Sequence, residues 1–99
     1  MRNALRNGQI EWQRHALERM MERNIRRADA LEVLFSGALI EDYPDDQPFP
    51  SSLFFGWREV RPLHILAAFD GEKAQVFVIT AYEPDLAHFE TDLKTRRAT

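Results

Sequence analysis

Apolar residues recur at helical spacing twice in the first third of this chain and then give way to alternation. In "WQRHALERMMERN", Trp12 to Asn24, the residues Ala16, Leu17, Met20 and Met21 predict an amphipathic helix over about Gln13 to Glu22, with Asn24 ending it. A second helix is predicted from about Arg27 to Ser36. Its buried side would carry Ala28, Leu31, Leu34 and Phe35, with Asp29 in the first turn and Gly37 where a left-handed cap would sit. Beyond Gly37 four short strands are predicted: "ALIEDY", "SLFFGW", "LHILAAF" and "QVFVITAY". The stretch "PDDQPFPSS" between the first two is rich in proline and acid and reads as an irregular loop. "DGEK" joins the last two, and its Asp-Gly predicts a tight antiparallel hairpin. Those two strands are apolar on both faces and should be central. After Pro84, "DLAHFETDLKTRRAT" reads as a helical turn or short final strand that ends in a basic tail.

The expected architecture is α+β, with two N-terminal helices packed on an antiparallel sheet of about four strands. A chain of 99 residues, 44% of them hydrophobic, suffices for one core and is too short for two, so 1–99 reads as one domain. No stretch approaches the roughly 18 apolar residues of a membrane span, and "MRNALRNGQIEW" lacks the apolar centre of a signal peptide. The expectation is a cytoplasmic protein. The absence of cysteine removes disulfides, thiolate catalysis and cysteine-held zinc from this chain. A net charge of −3 is unlike that of a free nucleic-acid binder, yet the charges are unevenly spread. Arg2, Arg6, Arg14, Arg19, Arg23, Arg26 and Arg27 crowd the start, while Lys94, Arg96 and Arg97 lie near the end. If the basic ends meet, a local positive surface can form on an acidic protein.

Candidate chemistry follows from placement. His15, Arg19 and Arg23 lie four apart and share one ridge of the first predicted helix. On such a ridge His15 is most often a boundary histidine and the arginines are solvated, paired with Glu18 or Glu22. The functional alternative is a phosphate-facing ridge, where guanidinium groups hold phosphate oxygens and the imidazole exchanges a proton. His64 falls inside an apolar strand and needs a hydrogen-bond partner or a function. Tyr82 ends the strongest strand, at the rim of the sheet; it either closes the core or serves a site. Whether His64 and Tyr82 share a face depends on the hairpin register. Glu41, Asp42, Asp45 and Asp46 read as a solvated acidic loop, with Mg²⁺ binding the less common alternative. His15, His64 and His88 lack metal-ligand spacing, and no phosphate-binding loop or nucleophile elbow is present, so neither metal nor cofactor is expected.

"IEWQRHALERMMERNI", "ALEVLFSGALIEDYPDDQPFPSSLFFG", "RPLHILAAFD", "VFVITAYEPD" and "LKTRR" together resemble the bacterial domain-of-unknown-function family numbered 4258, across nearly the whole chain. Members of that family look like distant relatives of the RelE and BrnT toxin superfamily, and many are encoded beside a zinc-finger antitoxin. The resemblance implies a RelE-like fold and a toxin of a type II toxin–antitoxin pair that acts as a metal-independent RNA endonuclease. In that reaction a ribose 2′-hydroxyl attacks the adjacent phosphorus while the protein moves protons and stabilises charge. It further implies His15 or His64 as general acid or base, and Arg19 and Arg23 on the phosphate. Tyr82 would orient the nucleophile or stack on a base, and Lys94, Arg96 and Arg97 would add affinity for the RNA backbone. The partners implied are RNA, including ribosome-bound mRNA, and a cognate antitoxin. The rival reading is a non-catalytic module whose basic face docks an acidic antitoxin segment or another protein.

Overall fold

The computed structural model describes residues 1–98. The chain runs α1 (Arg2–Arg6), β1 (Ile10–Trp12), α2 (Arg14–Glu22), α3 (Arg27–Ser36), β2 (Ala38–Tyr43), β3 (Ser51–Arg58), β4 (Arg61–Asp70) and β5 (Gln75–Tyr82). The helix α2 begins after Gln13 in extended conformation and stops where Asn24 turns left-handed at φ 55°. Asparagine tolerates that region because its short polar side chain can bond locally. Ala16 and Met20, one turn apart, are the buried column. Met21, expected in the stripe, is 83% exposed, because the helix turns its 16/20 column to the sheet and carries position 21 outward.

In α3 the buried residues are Asp29, Ala30, Val33 and Leu34. The expected buried face is therefore rotated: Leu34 holds, Leu31 and Phe35 pack from the side, and Ala28 is exposed. Gly37 also departs from expectation. Its backbone is extended (φ −76°, ψ 170°) rather than left-handed. Glycine is needed there for proximity, since a Cβ would lie 2.4 Å from the Val33 carbonyl oxygen and 2.6 Å from that of Phe55.

The sheet order is β1-β5-β4-β3-β2. Strands β2 to β5 form an antiparallel meander, and the β4–β5 hairpin pairs Asp70 with Gln75 across the loop Gly71 to Ala74, in agreement with the Asp-Gly signal. The Asp70 carboxylate accepts the Glu72 and Lys73 N–H groups and fixes that turn. The expectation of two helices and four antiparallel strands is corrected to three helices and a five-stranded mixed sheet, since β1 adds in parallel to β5. A five-residue helix and a three-residue strand are too short to show a period. They form because Ala4 and Leu5 bury in the core and Ile10–Trp12 find a partner strand. The overall class remains α+β.

Helices cover one face of the sheet, meeting Leu63, Ile65, Ala67, Val76, Val78 and Ala81. On the other face, Phe55, His64 and Tyr82 are direct cross-strand neighbours. The segment after β5 folds over this row and buries Phe89 against His64, with ring centroids 4.6 Å apart. Among the described residues this segment, 83–98, is neither helix nor regular strand: one antiparallel bridge joins Phe89 to Arg96. A bulge between Leu39 and Glu41 changes the facing of β2. One extra residue inverts the alternation, so Glu41 and Tyr43 fall on the Phe55–His64–Tyr82 side. No helix of the described residues is long and apolar enough to cross a membrane.

Candidate functional site

Where the C-terminal segment meets the end of β5, an open cleft of about 500 Å³ forms. It is lined by Arg23, Tyr82, Glu83, Asp85, His88, Phe89 and Arg96. Arg23 from the basic start of the chain and Arg96 from its basic end both line this cleft.

Behind the cleft stands His64, with no exposed surface. Its Nε2 lies 2.6 Å from the Leu93 carbonyl oxygen and its Nδ1 3.2 Å from the Tyr82 hydroxyl. A carbonyl can only accept, so Nε2 carries the proton and donates it to Leu93. Nδ1 then has a lone pair and accepts the Tyr82 O–H. Burial lowers the His64 pKa below 6.5, against the opposing bond to Leu93, and this keeps the ring neutral as the geometry requires. Burial also raises the Tyr82 phenol above its usual 10. Tyr82 therefore meets the cleft as a protonated hydroxyl whose orientation is set by a buried imidazole.

The charges around it differ in how they are compensated. Arg96 donates through Nε to both carboxylate oxygens of Glu41, at 2.9 and 3.1 Å, and its guanidinium lies 5.0 Å from the Phe89 ring centre. Tyr43 bonds the same carboxylate. Glu83 is paired with Arg61 at 3.2 Å. Asp85 accepts from His88 Nδ1 at 2.8 Å and from the Ala87 and His88 N–H groups. The His88 hydrogen bond is the largest cause holding the Asp85 carboxyl below its ordinary value. Because a carboxylate only accepts, Nδ1 of His88 holds the hydrogen and its Nε2 is the basic nitrogen. Arg23 is different: its Nη1 donates to the Ala81 carbonyl at 2.7 Å, and among the described residues it makes no ion pair.

The structure thus brings Arg23, His64, Tyr82 and Arg96 together and leaves the other sequence candidates elsewhere. His15 is 93% exposed and stands 3.7 Å from Glu18. Eight residues of helix, roughly 12 Å of rise, separate it from Arg23. Arg19 is 3.7 Å from Glu22 on the solvated face. Lys94 lies over the Phe55 ring at 5.8 Å, and Arg97 ties Glu90 and the Leu86 carbonyl. Neither lines the cleft. Two contributors escape the sequence reading. The Asp85–His88 pair is legible as an Asp-x-x-His spacing just after "TAYEP". Glu41 reads as loop acid; only the β2 bulge aims it at Arg96. Among the described residues no group of three or more His, Asp or Glu is arranged to hold a metal ion.

No curated protein and no solved structure matches this chain. The family profile described as Domain of unknown function (DUF4258) matches residues 12–83, which spans α2 through β5 and includes Arg23, Glu41, His64 and Tyr82. The chain therefore belongs to the DUF4258 family.

Proposed function

We propose that the cleft binds an RNA phosphodiester and cleaves it without a metal ion. The observation that carries this reading is the uncompensated Arg23 guanidinium, held by the Ala81 carbonyl in the cleft that Tyr82 also lines. Arg23 takes a non-bridging phosphate oxygen, and the negative charge that builds on that oxygen in the pentavalent transition state strengthens the bond. His88 Nε2 accepts the proton of the 2′-hydroxyl as its oxygen bonds to phosphorus. Tyr82 turns its O–H away from His64 Nδ1 and gives the proton to the departing 5′-oxygen as the P–O5′ bond breaks. The products are a 2′,3′-cyclic phosphate and a 5′-hydroxyl, and the proton returns from His88 to Tyr82 through water. Asp85 fixes the His88 tautomer. His64 is a positioning residue, since it reaches the cleft only through Tyr82.

The wider proposal is a RelE-like toxin, acting in the cytoplasm and held in check by a cognate antitoxin of zinc-finger type. The succession of helices followed by an antiparallel meander supports it. The non-catalytic alternative draws on Leu86, 56% exposed next to the cleft, where an antitoxin segment could rest on an apolar anchor.

The test is cleavage of end-labelled RNA by the purified protein in EDTA, free and on ribosomes. Cyclic-phosphate ends should appear, and His88→Ala or Tyr82→Phe should slow the reaction by about 10²-fold or more. Arg23→Gln should raise KM and lower kcat. If folded wild-type protein leaves RNA intact in both settings, or His88→Ala and Tyr82→Phe cut at the wild-type rate, the catalytic reading is lost.

A further inference from the structure

A second polar cleft, about 380 Å³, lies beside the first. Asn24, Arg26, Asp29, Arg58, Glu59 and Arg61 line it. Three guanidinium groups meet here from three elements: the α2–α3 junction, β3 and the start of β4. Arg26 and Arg58 converge on one buried carboxylate. Asp29 Oδ1 accepts from Arg26 Nη2 and Arg58 Nε, both at 3.2 Å, and Oδ2 accepts from the Arg26 backbone N–H and Nε. Two cations therefore share one anion. The Nη groups of Arg58 and Nη1 of Arg26 make no hydrogen bond among the described residues.

Arg61 joins the two clefts. Its Nη1 and Nη2 donate to the Asn24 and Arg23 carbonyl oxygens at 2.6 and 3.0 Å, and Nη2 also meets Glu83 on the rim of the first cleft. Arg23 and Arg26 are three residues apart, so their Cα atoms lie within about 11 Å. Glu59 is the opposing charge on this floor. Arg61 is balanced by Glu83, so Arg26 and Arg58 stand against Asp29 and Glu59 and the floor carries no net charge; what it offers a ligand is the unbonded Nη1 of Arg26 and Nη groups of Arg58. Asp29 holds both guanidinium groups by their other N–H donors, and free guanidinium N–H groups in a fixed fork match phosphate oxygens.

We propose that this second cleft is a phosphate subsite for the next part of the same strand, so that the ligand is a polynucleotide and not a single nucleotide or dinucleotide. The inference rests on the RNA reading of the first cleft. It assigns Arg26 and Arg58 to the backbone of the strand, which they hold without reading its bases.

The experiment measures binding of fluorescein-labelled 2′-O-methyl oligoribonucleotides, a dinucleotide and a longer oligonucleotide, across a salt series. Wild-type protein should bind the longer probe more tightly. Arg26→Gln and Arg58→Gln should weaken only the longer probe, and each should flatten the plot of log K against log salt by about 0.7 for every phosphate it leaves unneutralised. Arg58→Lys should restore part of the slope. The Arg26 side chain is 74% exposed and its backbone N–H still donates to the Asp29 carboxylate in the glutamine variant, so that variant should keep the wild-type fold, checked by its melting curve. If Arg23→Gln weakens both probes while Arg26→Gln and Arg58→Gln match wild type, the second subsite is refuted and the first cleft stands. If the wild type binds both lengths equally, the subsite is likewise refuted. If folded wild type binds neither probe, both proposals fall.

Discussion

Replacing Asp29 by asparagine tests the electrostatics that hold α3 to the sheet. Asp29 is 6% exposed, and burial alone would raise its carboxyl pKa. Hydrogen bonds from the Arg26 side chain, the Arg26 backbone and Arg58 overcome that cost and hold it at about 2, below the ordinary 3.8. At about 1.4 kcal/mol per tenfold change in a protonation equilibrium, this favours the folded state by roughly 2 kcal/mol when the carboxyl is ionised. The sign is that of a depressed acid. The contribution is fully present above pH 3.8 and is lost as pH falls from there through about 2. In Asp29→Asn one carboxylate oxygen becomes an NH₂ group that faces guanidinium donors. The variant should therefore unfold at lower urea near neutral pH, by about 2 kcal/mol or more, with the gap to wild type narrowing below pH 3.8. Urea titrations along a pH series and carboxyl NMR of Asp29 read both quantities. An Asp29 carboxyl that titrates at its ordinary value, or a gap that stays constant through the acid range, would refute the reasoning.

His64 should make wild-type stability fall as pH drops below 6.5, because the unfolded ring takes up a proton there and the buried ring resists it until its own lower pKa is reached. His64→Gln offers a donor to Leu93 and an acceptor to Tyr82 without titrating, so that part of the slope in melting temperature should vanish; an unchanged slope would contradict the assignment. Gly37→Ala should cost about 1–3 kcal/mol or more in urea unfolding, since the new methyl lies 2.4 and 2.6 Å from two backbone oxygens that cannot move independently. Glu41→Gln removes the carboxylate that neutralises Arg96. With Arg96 52% exposed, stability should change by no more than about 1 kcal/mol, and if the cleft binds RNA as proposed, affinity for it should rise. A fall in RNA affinity would show that Glu41 acts by positioning Arg96.

How much was legible depended on the range of the interaction. The helices over Gln13–Glu22 and Arg27–Ser36, the strand "QVFVITAY" and the Asp70-Gly71 hairpin are encoded by spacing within a few residues, and they appear within a residue or so of where the pattern put them. The elements Arg2–Arg6 and Ile10–Trp12 left no such signal, since their order comes from burial of Leu5 and pairing with β5. Helix facing was legible only in part. Position 21 fits an apolar stripe as well as position 20 does, and only the packing against β5 separates Met20, 2% exposed, from Met21.

The candidate site divides in the same way. By itself the sequence determined that His64 sits in an apolar strand and must be bonded, that Tyr82 ends its neighbouring strand, and that basic residues gather at both ends of the chain. Tertiary structure decided that His64 and Tyr82 are register partners on one face, and that the C-terminal segment folds back to offer the Leu93 carbonyl to the imidazole. It also split the ridge of His15, Arg19 and Arg23, drawing only its last member to the Ala81 carbonyl. The physical reason is that residue types and local periods fix which groups a chain owns. Which of them meet is fixed by strand register, a one-residue bulge in β2 and the path of a segment with no period of its own.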